Sequence, residues 1–144
     1  MEYKDIASVS GKGGLFKIIS PNKSRVILES LDNEKKRLVS GMNNRISVLE
    51  EISVYTHTAD GSTPLKEVLS KIFTEFGDDI GVESNSDGGE LKSFLKHILP
   101  DFDESRVYVS DIKKIVNWYN ILLKEAPELL KPNESESESE EKGD

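Results

Sequence analysis

The sequence predicts an α+β fold: a small N-terminal antiparallel β-barrel of the SH3-like or Tudor-like kind, followed by a compact three-helix subdomain. Three observations predict it. Apolar residues before Thr63 fall in short runs that alternate every second position between turn-forming residues. From Thr63 onward they recur every third or fourth position, the period of amphipathic helices. Of the 144 residues, 133–144 read NESESESEEKGD and hold nothing apolar to bury. The expected organisation is therefore a β-barrel domain over 1–62, a helical domain over 63–132 and a disordered acidic tail over 133–144.

Tyr3, Ile6 and Ala7 stand at helical spacing ahead of Gly11, so a turn or two of helix opens the chain over residues 3–9. Leu15, Phe16, Lys17, Ile18 and Ile19 lie between two glycines and Ser20-Pro21-Asn22, the punctuation of a strand between turns. A hairpin loop at residues 21–24 leads to a second strand at 25–30, and a third at 36–39 has a charged start suited to a sheet edge. Residues 45–49 and 52–56 supply two more strands, with Ile46/Val48 and Ile52/Val54 alternating against polar neighbours. Strands this short bury one face at most. Curling into a barrel closes that face on itself and reduces open edges. The expected interior is Ile18, Val26, Leu28, Leu38, Ile46, Val48 and Val54, with either Leu15 or Phe16.

Thr63 as N-cap and Pro64 at the first helical position open the second half. Leu65, Val68, Leu69, Ile72, Phe73 and Phe76 form one apolar stripe, closed by Gly77. A Ser-, Asn- and Gly-rich acidic connection follows. Leu91, Phe94, Leu95, Ile98 and Leu99 then repeat the spacing up to Pro100. After a short extended segment at 107–109, Ser110 and Asp111 cap a third helix through Ile112, Ile115, Val116, Tyr119, Leu122 and Leu123. Trp118 and Ile121 widen its stripe, which calls for packing against the barrel as well as the other helices. Pro127 and Pro132 end the ordered region.

Nineteen Lys and Arg against 27 Asp and Glu leave a net charge of −8. By segment the balance is nine against eight over 1–62, nine against thirteen over 63–132 and one against six over 133–144. Broad non-specific nucleic-acid binding needs clustered cations, which this balance opposes. The absence of cysteine excludes disulfides, thiolate catalysis and cysteine-based metal centres. No long apolar run suggests a membrane span and no leader pattern is seen, so a soluble, cytoplasmic protein is expected.

Motifs that suggest chemistry meet simpler explanations. Gly11-Lys12-Gly13-Gly14 precedes a strand, whereas a phosphate loop needs its glycines between a strand and a helix. Ser110 and Lys113 have the S-x-x-K spacing of penicillin-recognising enzymes without their other elements, and a capping serine accounts for them. Residues 83–88 imitate the start of a calcium loop, but its twelfth position is Phe94 in place of the bidentate glutamate. His57 and His97 lack metal-ligand spacing. No catalytic residue, metal site or cofactor is expected, and the chain is read as a non-enzyme.

Binding is better supported. Lys35, Lys36 and Arg37, with Lys12, Lys17, Lys23 and Arg25, form a candidate basic stripe, and Phe16 or Tyr55 a candidate exposed ring. Small barrels with open edges take extended peptides, so a peptide or protein partner is the expectation, with nucleic acid on the basic edge as the alternative.

The run Leu15 to Ile19, the phrase Val26-Ile27-Leu28-Glu29-Ser30-Leu31-Asp32 and the block Arg106-Val107-Tyr108-Val109-Ser110-Asp111-Ile112-Lys113-Lys114-Ile115 with Trp118-Tyr119-Asn120 resemble an uncharacterised family of Bacteroidetes proteins, a domain of unknown function. The resemblance covers nearly all of residues 1–124. It implies a bacterial cytoplasmic origin and a two-part layout, and it carries no activity, substrate or site residue with it.

Overall fold

The computed structural model describes residues 1–21, 26–40 and 45–131. The expected hairpin tip, Lys23, Arg25, Pro132 and the acidic tail lie outside the described residues.

A 3-10 turn at Tyr3–Asp5 leads into β1 (Ile6–Val9), followed by β2 (Phe16–Pro21), β3 (Val26–Ser30), β4 (Arg37–Ser40) and β5 (Ile46–Val48). These five strands form one antiparallel sheet in the order β4-β3-β2-β1-β5. The opening helix is thus corrected to a single turn and a strand. Ile6 faces the helices and Val9 the inner side of the sheet, and both are buried. A strand covered on both faces shows no two-residue alternation by which to recognise it.

The expected SH3-like or Tudor-like barrel is corrected to an open, curled sheet. The edge strands β4 and β5 share no ladder among the described residues. β5 lasts three residues before the 3-10 turn Leu49–Glu51 carries the chain toward the helices, which leaves too little edge for closure. Side chains still bridge the gap. Leu38 of β4 and Ile46 of β5 both pack on an inner cluster of Val9, Phe16 and Leu28. Leu15 and Phe16, one residue apart, are both buried, Leu15 toward the helices and Phe16 inside the curl.

The segment expected as the last barrel strand pairs elsewhere. β6 (Ser53–Tyr55) forms a two-stranded ladder with β7 (Ser62–Pro64), and Val54 is buried among the helices. Because β7 holds Thr63 extended opposite Val54, Pro64 occupies the N-cap of α1 (Leu65–Phe76) and Thr63 does not cap it. α2 (Gly88–Ile98) starts earlier than its apolar stripe, since the Asp87 carboxylate accepts the N–H of Glu90 at 3.0 Å. The glycine at its first position has a steric reason: a Cβ on Gly88 would stand 3.2 Å from Cγ2 of Val109. α3 (Val109–Glu125) begins one residue before the expected Ser110 cap, with Asp111 reaching back to accept the N–H of Tyr108 at 2.9 Å. Pro127 does not end the order. It opens a 3-10 turn, Pro127–Leu129, flanked by buried Ala126 and Leu130.

Sheet and helices share one core. Tyr3, Ile6, Leu15 and Leu49 belong to the same cluster as Leu69 and Ile72 of α1, Leu91 and Leu95 of α2, and Ile112, Val116 and Tyr119 of α3. Polar groups inside it are paired. Tyr119 donates its hydroxyl to the carbonyl of Gly77, whose φ of 62° ends α1, and burial followed by the charge of Asp78 pushes this phenol up to about 12. Tyr3 donates to the Leu129 carbonyl at 3.0 Å, fastening the start of the chain to the last turn of the helical layer.

Candidate functional site

The alternation of β1 and β5 that packs Val9 and Ile46 on the inner side turns Ser8 and Ser47 to the other side, directly opposite each other. Ser10 continues this polar face. Its Oγ accepts the N–H of Arg45 at 3.0 Å. A cleft of about 580 Å³ lies over these residues, bordered also by β6, by the first half of α3 and by the Gly11-Lys12-Gly13-Gly14 turn. The turn is seated near α3: a Cβ on Gly14, where φ is 80°, would stand 3.8 Å from Cδ1 of Ile121.

β6 meets this cleft with an edge that is open at Ser53; farther along, Thr56 forms an antiparallel bridge with Phe102. Leu65 donates its N–H to the carbonyl of Ile52 at 2.9 Å, and Thr56 donates to Gly61 at 3.1 Å. Bonded positions alternate along an antiparallel ladder, so Ser53 and Tyr55 turn their backbone groups away from β7. The Tyr55 carbonyl accepts the N–H of Asp103 at 2.9 Å. Among the described residues, the N–H groups of Ser53 and Tyr55 and the carbonyl of Ser53 have no protein partner.

The charge around the cleft is opposite to that of the chain. Lys12, Arg45, Arg106 and Lys114 border it with a single carboxylate, Asp111, four cations against one anion. Asp111 is engaged by the Tyr108 N–H. Arg106 is held in place, its Nε 3.2 Å from Oδ2 of Asp103 and its guanidinium carbon 5.0 Å from the centre of the Tyr55 ring. No carboxylate lies within ion-pair distance of Lys12, Arg45 or Lys114 among the described residues. Trp118, one turn beyond Lys114 on the same face of α3, adds a half-buried aromatic wall.

Asp103 organises the neighbouring turn. It is buried, and its Oδ1 accepts the Ser105 hydroxyl at 2.6 Å and the Ser105 N–H at 3.0 Å, with His57 Nε2 at 3.5 Å. The Ser105 hydroxyl is the largest influence holding this carboxyl below the usual aspartate range. The Ser105 amide and the charges of His57 and Arg106 act in the same direction.

The residues singled out from the sequence are not brought together. Tyr55 is 49 % exposed and borders the cleft. The expectation of an exposed ring at Phe16 is corrected: it is 8 % exposed and packs inside the curl, because its position in β2 faces Ala7 across the ladder. Lys35, Lys36 and Arg37 stand at the turn into β4, the edge strand farthest from β5. The Asp32 carboxylate accepts the N–H groups of Glu34 and Lys35 there and shapes the turn. Lys36 Nζ lies 3.2 Å from Glu34, and Arg37 is opposite Glu29. Arg45, Arg106, Lys114 and Trp118 were not legible as a group, since they come from separate segments that only the tertiary fold brings to the border of one cleft. Among the described residues no group of three or more His, Asp or Glu could hold a metal ion, and no helix is long and apolar enough to cross a membrane.

Two family descriptions match the chain in succession: Domain of unknown function (DUF5606) over residues 3–49 and Domain of unknown function (DUF6852) over residues 52–122. No curated protein matches it. A solution NMR structure from Bacteroides vulgatus, a structural-genomics target, is similar with a TM-score of 0.66 and 33 % identity, over 87 % of this chain and 88 % of that one. The chain thus belongs to an uncharacterised family that carries these two domains of unknown function in succession.

Proposed function

We propose that the protein is a non-enzymatic binding module that takes an extended peptide segment of a partner protein in this cleft, against the open edge of β6 at Ser53. The observation that carries this reading is the open backbone edge at Ser53 bordering a cleft of opposite charge to the chain. Backbone groups on such an edge supply affinity without regard to sequence, and the flanking cations supply selection for acidic side chains. The polar lining includes cations, serine hydroxyls, the Asn117 amide and a carboxylate already bonded to Tyr108, a set suited to binding more than to proton transfer. The return of β5 to β1, the register irregularity between Ile18 and Ser20, and the shared packing of Leu38 and Ile46 support a reading of the sheet as an incompletely closed SH3-like barrel.

The test is a random peptide display library panned against the full chain, followed by amide-resolved titration of the selected peptides. Acidic sequences are expected, with shifts centred on Ser53 and Tyr55. At about 0.7 kcal/mol per exposed ion pair, the double substitution Arg45→Gln and Lys114→Gln weakens binding about tenfold. Selection of peptides that perturb only the far edge at Lys35 to Arg37, or binding of single-stranded nucleic acid to the cleft with no peptide selected, overturns the reading.

A further inference from the structure

We propose that the cationic side of this cleft is a phosphoryl subsite, in which Lys12, Arg45 and Lys114 take a phosphorylated side chain of the bound segment. The proposal rests on the peptide-binding reading above and names the group that the peptide carries. Three observations support it. The first is charge. Lys12, Arg45 and Lys114 are exposed, border the cleft and have no carboxylate at ion-pair distance among the described residues. Arg106 is already matched by buried Asp103, and Asp111 is the one acid of the lining, so two positive charges remain unmatched. A glutamate side chain neutralises one of them. A phosphomonoester, with a charge of about −1.5 to −2 at neutral pH, neutralises both.

The second is the donor set. Apart from Asp111, every polar side chain of the lining carries a hydrogen-bond donor. Ser8 and Ser47 stand opposite each other, and the Arg45 guanidinium is a planar fork that matches phosphate oxygens two at a time. A phosphoryl group presents three strong acceptor oxygens where a carboxylate presents two. The Gly11-Lys12-Gly13-Gly14 turn adds backbone donors, since the N–H groups of Gly13 and Gly14 have no protein partner among the described residues. The turn lacks the strand-to-helix order of a phosphate loop, and the subsite makes no use of a helix N-terminus.

The third is the origin of the cations. Lys12 lies in the turn between β1 and β2, Arg45 immediately ahead of β5 and Lys114 on α3. Like charges gathered from three distant segments repel one another, and an anion seated among them removes that repulsion.

Three libraries of heptapeptides, degenerate except for a central serine, glutamate or phosphoserine, passed over the immobilised full chain test this. Inorganic phosphate is titrated separately against the chain in solution, with Trp118 fluorescence and amide shifts as readouts. Phosphoserine is expected to raise retention about tenfold over glutamate, and the retained peptides to shift the amides of Lys12, Arg45 and Lys114. Lys12→Gln, Arg45→Gln and Lys114→Gln alter exposed side chains outside the core; each should reduce the phosphoserine gain about threefold, while Lys36→Gln at the far edge leaves it unchanged. Equal retention of the phosphoserine and glutamate libraries overturns the subsite and leaves peptide binding standing, as does a phosphoserine gain that survives all three substitutions. Inorganic phosphate that shifts the same amides while no library is retained keeps the phosphoryl chemistry, with a free anion as its source, and overturns the peptide reading. Silence from all four probes overturns both.

Discussion

Ile6→Ala probes whether sheet and helices unfold as one. Ile6 lies in β1 and is fully buried in the cluster that also holds Ile72, Leu95 and Val116 from the three helices. Removing three carbons forfeits about 2.4 kcal/mol of transfer free energy. The surrounding cavity, which the packed helices cannot collapse, raises the cost to about 3–4 kcal/mol. With an unfolding entropy of about 0.28 kcal/mol/K for a folded body of this size, Tm falls by about 10–15 °C. Trp118 on α3 is the chain's single tryptophan and reports on the helical layer, while far-ultraviolet circular dichroism reports on the whole. Thermal unfolding of native and variant chains followed by both signals should give coincident transitions, displaced together. A variant whose tryptophan transition stays at the native temperature while the dichroism develops an early phase would refute the shared core.

Other expectations follow from single groups. Tyr119→Phe keeps the buried ring and deletes the bond to the Gly77 carbonyl, so urea unfolding should show a loss of about 1 kcal/mol with an unchanged slope against denaturant. Asp103 has a folded-state pKa below its unfolded one, so its stabilisation is complete above the unfolded value and disappears as pH falls through the folded value. Asp103→Asn should therefore lower stability at neutral pH and flatten its decline in acid, and an unchanged acid limb would discard that assignment. The same variant frees Arg106 from its anchor beside Tyr55, which shifts the Tyr55 ring resonances at neutral pH without moving those of Tyr119.

Much of the helical layer was legible because each helix carries its own evidence. The stripes of Leu65 to Phe76 and Leu91 to Ile98 repeat at the helical period, and a helix satisfies its backbone locally, so the pattern alone identifies it. The strands at 16–21, 26–30 and 37–40 were legible for a related reason: turn residues bracket them and one face alternates. β1 was not, because a strand buried on both sides loses that alternation. Neither was the partner of β6, since pairing is a choice between distant edges and Ser62, Thr63 and Pro64 have no strand composition of their own.

The sequence by itself determined the division into strand and helix periods, the amphipathic faces that require a shared core, the absence of cysteine chemistry and the acidic repeat. These are local or compositional properties, set by neighbours a few positions apart. Tertiary structure alone decided that the sheet stays open, that Phe16 turns inward, and that Arg45, Arg106, Lys114 and Trp118 gather around the cleft beside Ser53 and Tyr55. Those outcomes depend on contacts between residues tens of positions apart, whose energies exist only once the chain has packed.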